Sequence, residues 1–183
     1  NSSNGEKVWE FASSLTNLKS NFKNSIAVDE KNNSVFFLNT SGELYSINYN
    51  EGVNWFLSLK QEQSNIDSSL FLGSPLALRD NKIMVSSGNS LSVYDLLSGE
   101  KLWKKNIPSS VKGTLTKNNI FLFTKNNLLI CLDSNNGQVI WSKNIFSQIR
   151  NLDKKKILNK IKNISNLIIA NDKIFLFSEE GYL

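Results

Sequence analysis

Apolar residues in this chain come in short runs, and polar turn formers separate them. The clearest stretch reads PLAL at 75–78, a turn at RDN, KIMVS at 82–86, a turn at SGN, SLSVYD at 90–95, a turn at LLSG, and EKLWKK at 100–105. Runs of this length rich in Val, Ile, Leu and aromatics, bounded by Gly, Asn, Asp and Ser, predict β-strands joined as antiparallel hairpins. The same frame recurs before it, as SIAV at 25–28, SVFFL at 34–38, ELYSIN at 43–48 and VNWFL at 53–57. It recurs after it, as GTLT at 113–116, IFLFT at 120–124, LLICLD at 128–133 and QVIWSK at 138–143. A last pair, LIIA at 167–170 and KIFLF at 173–177, begins a further copy.

The end of each copy carries a signature. LDSNNGQVIWSKNI at 132–145 echoes YDLLSGEKLWKKNI at 94–107: Asp133, Gly137 and Trp141 stand at the spacing of Asp95, Gly99 and Trp103. Gly5 and Trp9 keep the Gly-to-Trp step, and Gly52 and Trp55 shorten it by one residue. The four tryptophans lie 46, 48 and 38 residues apart, a period that marks a repeat architecture. Four strands per period of about 40 residues is the arithmetic of a propeller blade. The expectation is an all-β chain, a β-propeller of four-stranded antiparallel blades seen as an incomplete arc, in a single partial domain over 1–183. Blades are expected at about 25–59, 73–107 and 111–145, with a partial blade at 166–183 and the outer strand of a preceding blade at 4–11. An open arc exposes two sheet edges and cannot bury its end faces, so the chain reads as part of a larger protein. A small closed or dimerised β-domain is the alternative.

Long connections at 60–74 and 146–166 break the frame, and loops of this length are often functional. In the second, Ile149, Leu152, Ile157 and Ile161 could line a short basic helix, or the segment could be a solvated Lys-rich excursion. The net charge of +5 gathers there: residues 143–162 hold seven basic side chains against Asp153, leaving the remainder at 5 − 6 = −1. A nucleic-acid binder would more often spread its cations along a groove and interleave them with aromatics, so nucleic acid is not the expected partner.

Chemistry is restricted. The chain has no histidine, which removes Ser-His-Asp and Cys-His nucleophiles and every His-containing metal site from these residues. Cys131 is the single cysteine, allows no intrachain disulfide, and lies in an apolar strand where it reads as a small buried hydrophobe. No phosphate-binding glycine loop and no apolar run long enough to span a bilayer is present. The carboxylates, Asp29, Asp80, Asp95, Asp133 and Asp172 among them, fall mostly in turns, where such side chains bond the local backbone. The tryptophans could stack on a quinone, but recurrence at one position per blade suits a girdle of identical packing contacts better. No catalytic, cofactor-binding or metal residue is expected. The Asn-x-Ser/Thr triplets at 39–41 and 163–165 carry no weight in a chain with 27 Asn.

The recurring Asp-x-x-x-Gly-x-x-x-Trp, after an alternating strand and before a basic tail, resembles the repeat of the quinoprotein-type (PQQ-like) β-propellers over nearly the whole chain. That superfamily includes quinone-dependent dehydrogenases, non-catalytic scaffolds and sensor domains, so the resemblance implies fold more than activity. Its enzymes use pyrroloquinoline quinone, calcium, a catalytic Asp and commonly a vicinal disulfide, and none of these can be placed here. The chain is most similar to the non-catalytic branch, the outer-membrane protein assembly factors, which are periplasmic lipoproteins. IPSSVKGTL at 107–115 resembles the branch's partner-contacting segment. The resemblance implies that Val111 and Lys112 meet the outer-membrane β-barrel assembly machine, with serine (Ser109 or Ser110) at another, normally apolar, contact position. It also implies a protein partner and a membrane link only through a lipid anchor. A fragment of a quinone-dependent dehydrogenase and a ligand-sensing propeller of a membrane receptor are the alternatives.

Overall fold

A computed structural model of the chain describes residues 3–13, 25–59, 75–87, 89–109, 112–148, 164–179 and 181. They form all-β structure with two short 3-10 turns at Glu30–Asn32 and Ile145–Gln148. The strands make the blades of an incomplete β-propeller: three antiparallel sheets of four strands and one of two. Two compact units make up the chain, residues 1–71 and 72–183.

The first unit holds one sheet, ordered β1 (Ser25–Asp29), β2 (Ser34–Leu38), β3 (Glu43–Asn48) and β4 (Gly52–Ser58). Because successive side chains alternate across a strand, register decides which residues share a face. Ile26, Phe37, Tyr45 and Phe56 stand in one row across the four strands, and the neighbouring row on the opposite face is Ala27, Phe36, Ser46 and Trp55. On that opposite face Phe36, Leu38 and Leu44 are buried, and the Phe36 and Trp55 rings lie 5.8 Å apart. On the first face Tyr45 stacks 4.9 Å from Phe56 and receives Phe11 edge-on at 5.1 Å. Asn39 shapes the β2–β3 turn by accepting from the backbone N–H groups of Ser41 and Glu43, at 3.0 and 2.9 Å.

Residues 5–13 form no strand, so the outer strand expected at 4–11 is absent. An extended segment needs a ladder partner, and none pairs with this one among the described residues. Phe11 of this segment packs against Tyr45 of β3.

The second unit begins with β5 (Ala77–Arg79), β6 (Lys82–Ser87), β7 (Ser90–Asp95) and β8 (Lys101–Lys105) in that order. The next sheet runs β9 (Thr114–Leu115), β10 (Asn119–Phe123), β11 (Leu128–Asp133) and β12 (Val139–Asn144). β13 (Ile164–Ala170) and β14 (Lys173–Ser178) pair alone. Met84, Leu91, Val93 and Trp103 of the first of these sheets pack against Leu115, Ile120, Leu122, Ile130 and Leu132 of the second. Phe123, Leu129 and Phe146 then join the second to Leu167 of β13, and Thr114 Oγ1 donates to the Leu167 carbonyl at 2.9 Å. β6, β7 and β11 are buried on both faces, which is why they read as nearly continuous apolar runs rather than strict alternation. The outermost strand β12 is exposed along its whole length.

Turn chemistry follows the expected residues. Asp80–Asn81 and Asn171–Asp172 each place both central residues at positive φ (44°, 63°, 48° and 58°). Two consecutive left-handed residues make the type I′ hairpin turn, whose twist matches the strands, and Asn and Asp tolerate that conformation best. Two innermost strands, β5 and β9, are shorter than expected, while β1 and β13 run past the expected 25–28 and 167–170. β5 starts at Ala77 because Pro75 has no N–H to give to a ladder. β9 spans two residues because Thr116 turns the chain at once, its N–H and Oγ1 both donating to the Asn119 carbonyl. Of the long connections, 60–74 and most of 146–166, with Ile149, Leu152, Ile157 and Ile161, lie outside the described residues.

Leu122, fully buried where the two four-stranded sheets of the second unit meet, tests this packing. Leu122→Ala is expected to lower unfolding free energy by about 2–5 kcal/mol in a denaturant titration; a change below about 1 kcal/mol would contradict the packing described.

Candidate functional site

The signature Asp, Gly and Trp build a turn and a seat. In the β7–β8 turn the Asp95 carboxylate accepts from the N–H groups of Leu97 and Ser98 at 2.9 and 2.8 Å, while Gly99 N–H returns to the Asp95 carbonyl at 3.0 Å. Asp133 repeats this with Asn135 N–H at 2.7 Å and Gly137 N–H at 2.9 Å. Asn48 stands in for the acid in the first unit, accepting from Asn50 N–H at 2.9 Å. The glycines close each turn at positive φ: 99° at Gly52, 73° at Gly99 and 70° at Gly137. Directly after it each outer strand carries a register shift, which sets the Trp side chain opposite Ser46, Val93 or Cys131.

Trp103 shows what the arrangement does. Its indole N–H donates to the Ser134 carbonyl at 3.0 Å, and a Cβ on Gly137 would lie 2.7 Å from the ring. A tryptophan of one sheet thus sits on the glycine of the next, and only glycine leaves room for it. Lys82 adds a second tie across the same pair of sheets, its Nζ reaching Asn135 Oδ1 at 2.9 Å and Ser134 Oγ at 3.3 Å.

The expected girdle of identical contacts is not what the structure shows. Trp103 is 9% exposed, whereas Trp141 and Trp9 are 38% and 42% exposed, and Gly5 and Gly52 have nothing within 4 Å of an added Cβ. The packing depends on a following sheet with its own glycine turn, which the position of the residue in its repeat cannot supply. The repeat pattern does not mark Ser134, because the group that receives Trp103 is its backbone carbonyl, while its hydroxyl donates to the Lys117 carbonyl at 3.1 Å. Its N–H bonds the Asn118 carbonyl at 2.8 Å just as Leu96 bonds Asn81 and Tyr49 bonds Asn33, three unlike side chains at one repeat position. That shared offset after the Asp or Asn is the signal that would have found it.

The reactive groups are placed for structure. Cys131 is buried in β11, and burial pushes its thiol above the ordinary value by disfavouring the thiolate. Asp29 accepts from Lys31 N–H at 3.2 Å and Asn32 Nδ2 at 2.6 Å, so it caps the 3-10 turn. Among the described residues no three His, Cys, Asp or Glu side chains gather as a metal site would require.

Lys112 is exposed two residues before β9, with Gly113 between them. The chain is anchored on both sides of it: Pro108 accepts from Lys125 N–H at 3.2 Å and Ser109 bridges Thr124, while Gly113 is pressed so closely that a Cβ would meet Leu122 Cδ2 at 2.3 Å. Val111 and Ser110 lie outside the described residues.

A family model described as outer membrane protein assembly factor BamB matches residues 1–143. Among solved structures the chain is similar to BamB from Moraxella catarrhalis, at 15% identity over 86% of this chain and 47% of that one, with a TM-score of 0.58. It is similar to the computationally designed Ika4 protein at 12% identity, 94% and 96% coverage and a TM-score of 0.57. A quinohemoprotein alcohol dehydrogenase from Pseudomonas putida matches at 11% identity, 64% and 26% coverage and a TM-score of 0.50. At these identities the likeness shows the fold alone, and the chain spans about half the length of the BamB structure. No curated protein matches in sequence.

Gly137→Ala is expected to cost about 2–4 kcal/mol in a denaturant titration, combining a left-handed alanine with displacement of the Trp103 ring. Trp103 emission should shift to the red, and an unchanged spectrum would refute the seat. For Cys131 the raised pKa means that folding is favoured fully below the ordinary thiol pKa of about 8.5 and that this contribution is lost as pH rises through the folded value. Stability should therefore fall more steeply above about pH 8.5 in the wild type than in Cys131→Ala. Equal slopes would contradict the buried, protonated thiol.

Proposed function

The chain belongs to the family of the outer membrane protein assembly factor BamB, and from that membership we propose that it is a non-catalytic β-propeller scaffold of the bacterial cell envelope. Its partner is a protein, the outer-membrane β-barrel assembly machine, and its place is the periplasmic side of the outer membrane, held by a lipid anchor. The family match carries the reading. The turn carboxylates support it, since Asp95 and Asp133 are engaged with their own backbone N–H groups rather than turned toward a reacting centre.

Lys112, with Val111 beside it, is the docking point. A scaffold gains affinity by presenting contact groups already ordered, so that little conformational entropy is lost on binding. The described residues that flank Lys112 are engaged: Pro108 accepts from Lys125 N–H and Ser109 bridges Thr124 before it, and Gly113 lies close against Leu122 after it. An exposed ammonium on such a mount steers an acidic partner surface and pairs with it on contact, and an apolar neighbour supplies the desolvated area.

The test is capture of the periplasmic domains of the barrel-assembly machine by the protein, with and without Lys112→Glu. Retained circular dichroism and at least about tenfold weaker capture are expected. Undiminished capture by the variant would remove the site assignment. No capture by the wild type would remove the scaffold reading and return attention to titration with calcium and a quinone.

A further inference from the structure

The two four-stranded sheets of the second unit run the same way, and their charges are sorted by end. Lys82, which opens β6, reaches Asn135 of the β11–β12 turn, while Pro108, just after β8, accepts from the N–H of Lys125 in the β10–β11 turn. These two ties fix which strand ends lie together. Asp80, Asp95, Glu100 and Asp133, every carboxylate between residues 75 and 148, stand at the first end, in the turns or at their edges. Arg79, Lys82, Lys101 and Lys117 stand there too and balance them. The opposite end holds Lys104, Lys105, Lys112, Lys125 and Lys143 and, within residues 75–148, no carboxylate. Set against Glu179, after β14, they leave 5 − 1 = +4. Further along the chain no acidic run offsets them, since residues 149–163 hold six basic side chains against Asp153.

Lys105, Lys112, Lys125 and Lys143 are exposed, and their ammonium groups make no hydrogen bond or ion pair among the described residues. At ordinary strand spacing β9 to β12 spans about 14 Å, so Lys112, Lys125 and Lys143 can meet one surface together. The exposed large apolar side chains of these sheets lie elsewhere: Leu97 in the β7–β8 turn, Leu102 at the second position of β8, and Val139, Ile140 and Trp141 at the first three positions of β12. Among the described residues, which leave out Val111, the lysine end offers charge without an apolar anchor. A protein interface draws most of its affinity from a desolvated apolar or aromatic centre. A bilayer of anionic headgroups needs none, because each lysine near its surface favours binding by about fivefold. We propose that this end of the second unit lies against an anionic phospholipid surface, with Lys105, Lys125 and Lys143 meeting headgroup phosphates. Lysine suits the role, since its compact ammonium pairs with phosphate as a point charge and needs no fixed geometry. The inference does not depend on the barrel-assembly partner, and Lys112, assigned to that partner, stays unchanged in the test.

Cosedimentation of the 183-residue chain with vesicles of equimolar phosphatidylcholine and phosphatidylglycerol, and of phosphatidylcholine alone, tests this. Binding to the mixed vesicles only is expected, and it should vanish as salt approaches about 1 M, where the Debye length is about 3 Å. Lys125→Gln with Lys143→Gln should weaken it at least about tenfold at unchanged circular dichroism. Arg79→Gln with Lys117→Gln removes the same charge from the other end and should leave it within about twofold of the wild type. Equal losses in the two double variants would overturn the proposal by showing that net charge alone is read. Absence of binding to the mixed vesicles at low salt would overturn it as well and leave this end to an acidic protein.

Discussion

The second unit depends on an aromatic ring lying where a glycine has no side chain. Trp103 reaches from one sheet to the turn of the next, buries its ring against Gly137 and gives its only N–H to the Ser134 carbonyl. Without that seat the two sheets would be held by the Lys82 bonds to Asn135 and Ser134 and by their inner apolar rows, Met84 and Val93 on one side and Ile120, Leu122 and Leu132 on the other. A methyl group at position 137 would obstruct the ring, and a side chain there would also resist the left-handed backbone that brings the carbonyl round. Shape, conformation and hydrogen bonding thus meet at one residue.

Burial in the rest of the unit follows from this stacking. Strands between two sheets are apolar on both faces, and β12, the last outer strand, is exposed throughout. The Asp residues hold the turns that present the glycines, which accounts for acids that would otherwise invite a catalytic reading. Close packing also fixes the start of β9, where Gly113 lies against Leu122.

Much of the fold was legible along the chain. β2, β3, β7 and β11 coincide with the runs read at 34–38, 43–48, 90–95 and 128–133, because an apolar run and its Asn, Asp or Gly boundaries are both local signals. β9 is shorter than its apolar run, since its length is set by contact between Gly113 and Leu122, nine residues on, and by the Thr116 turn, whereas β13 is longer than its run. Residues 4–11 have strand composition without a ladder. The candidate site was less legible. Lys112 is marked by family resemblance and by no local pattern, and the Ser134 carbonyl that receives Trp103 leaves no trace in side-chain identity.

By itself the sequence determined the repeat, the strand frame, the turn positions and the absence of histidine chemistry, all of which rest on spacing and residue type. Tertiary structure alone decided which tryptophan is a packing residue and which an exposed one. Trp103 and Trp141 have the same local pattern, yet one is buried and the other half open, because burial belongs to a pair of surfaces and the second surface comes from another sheet.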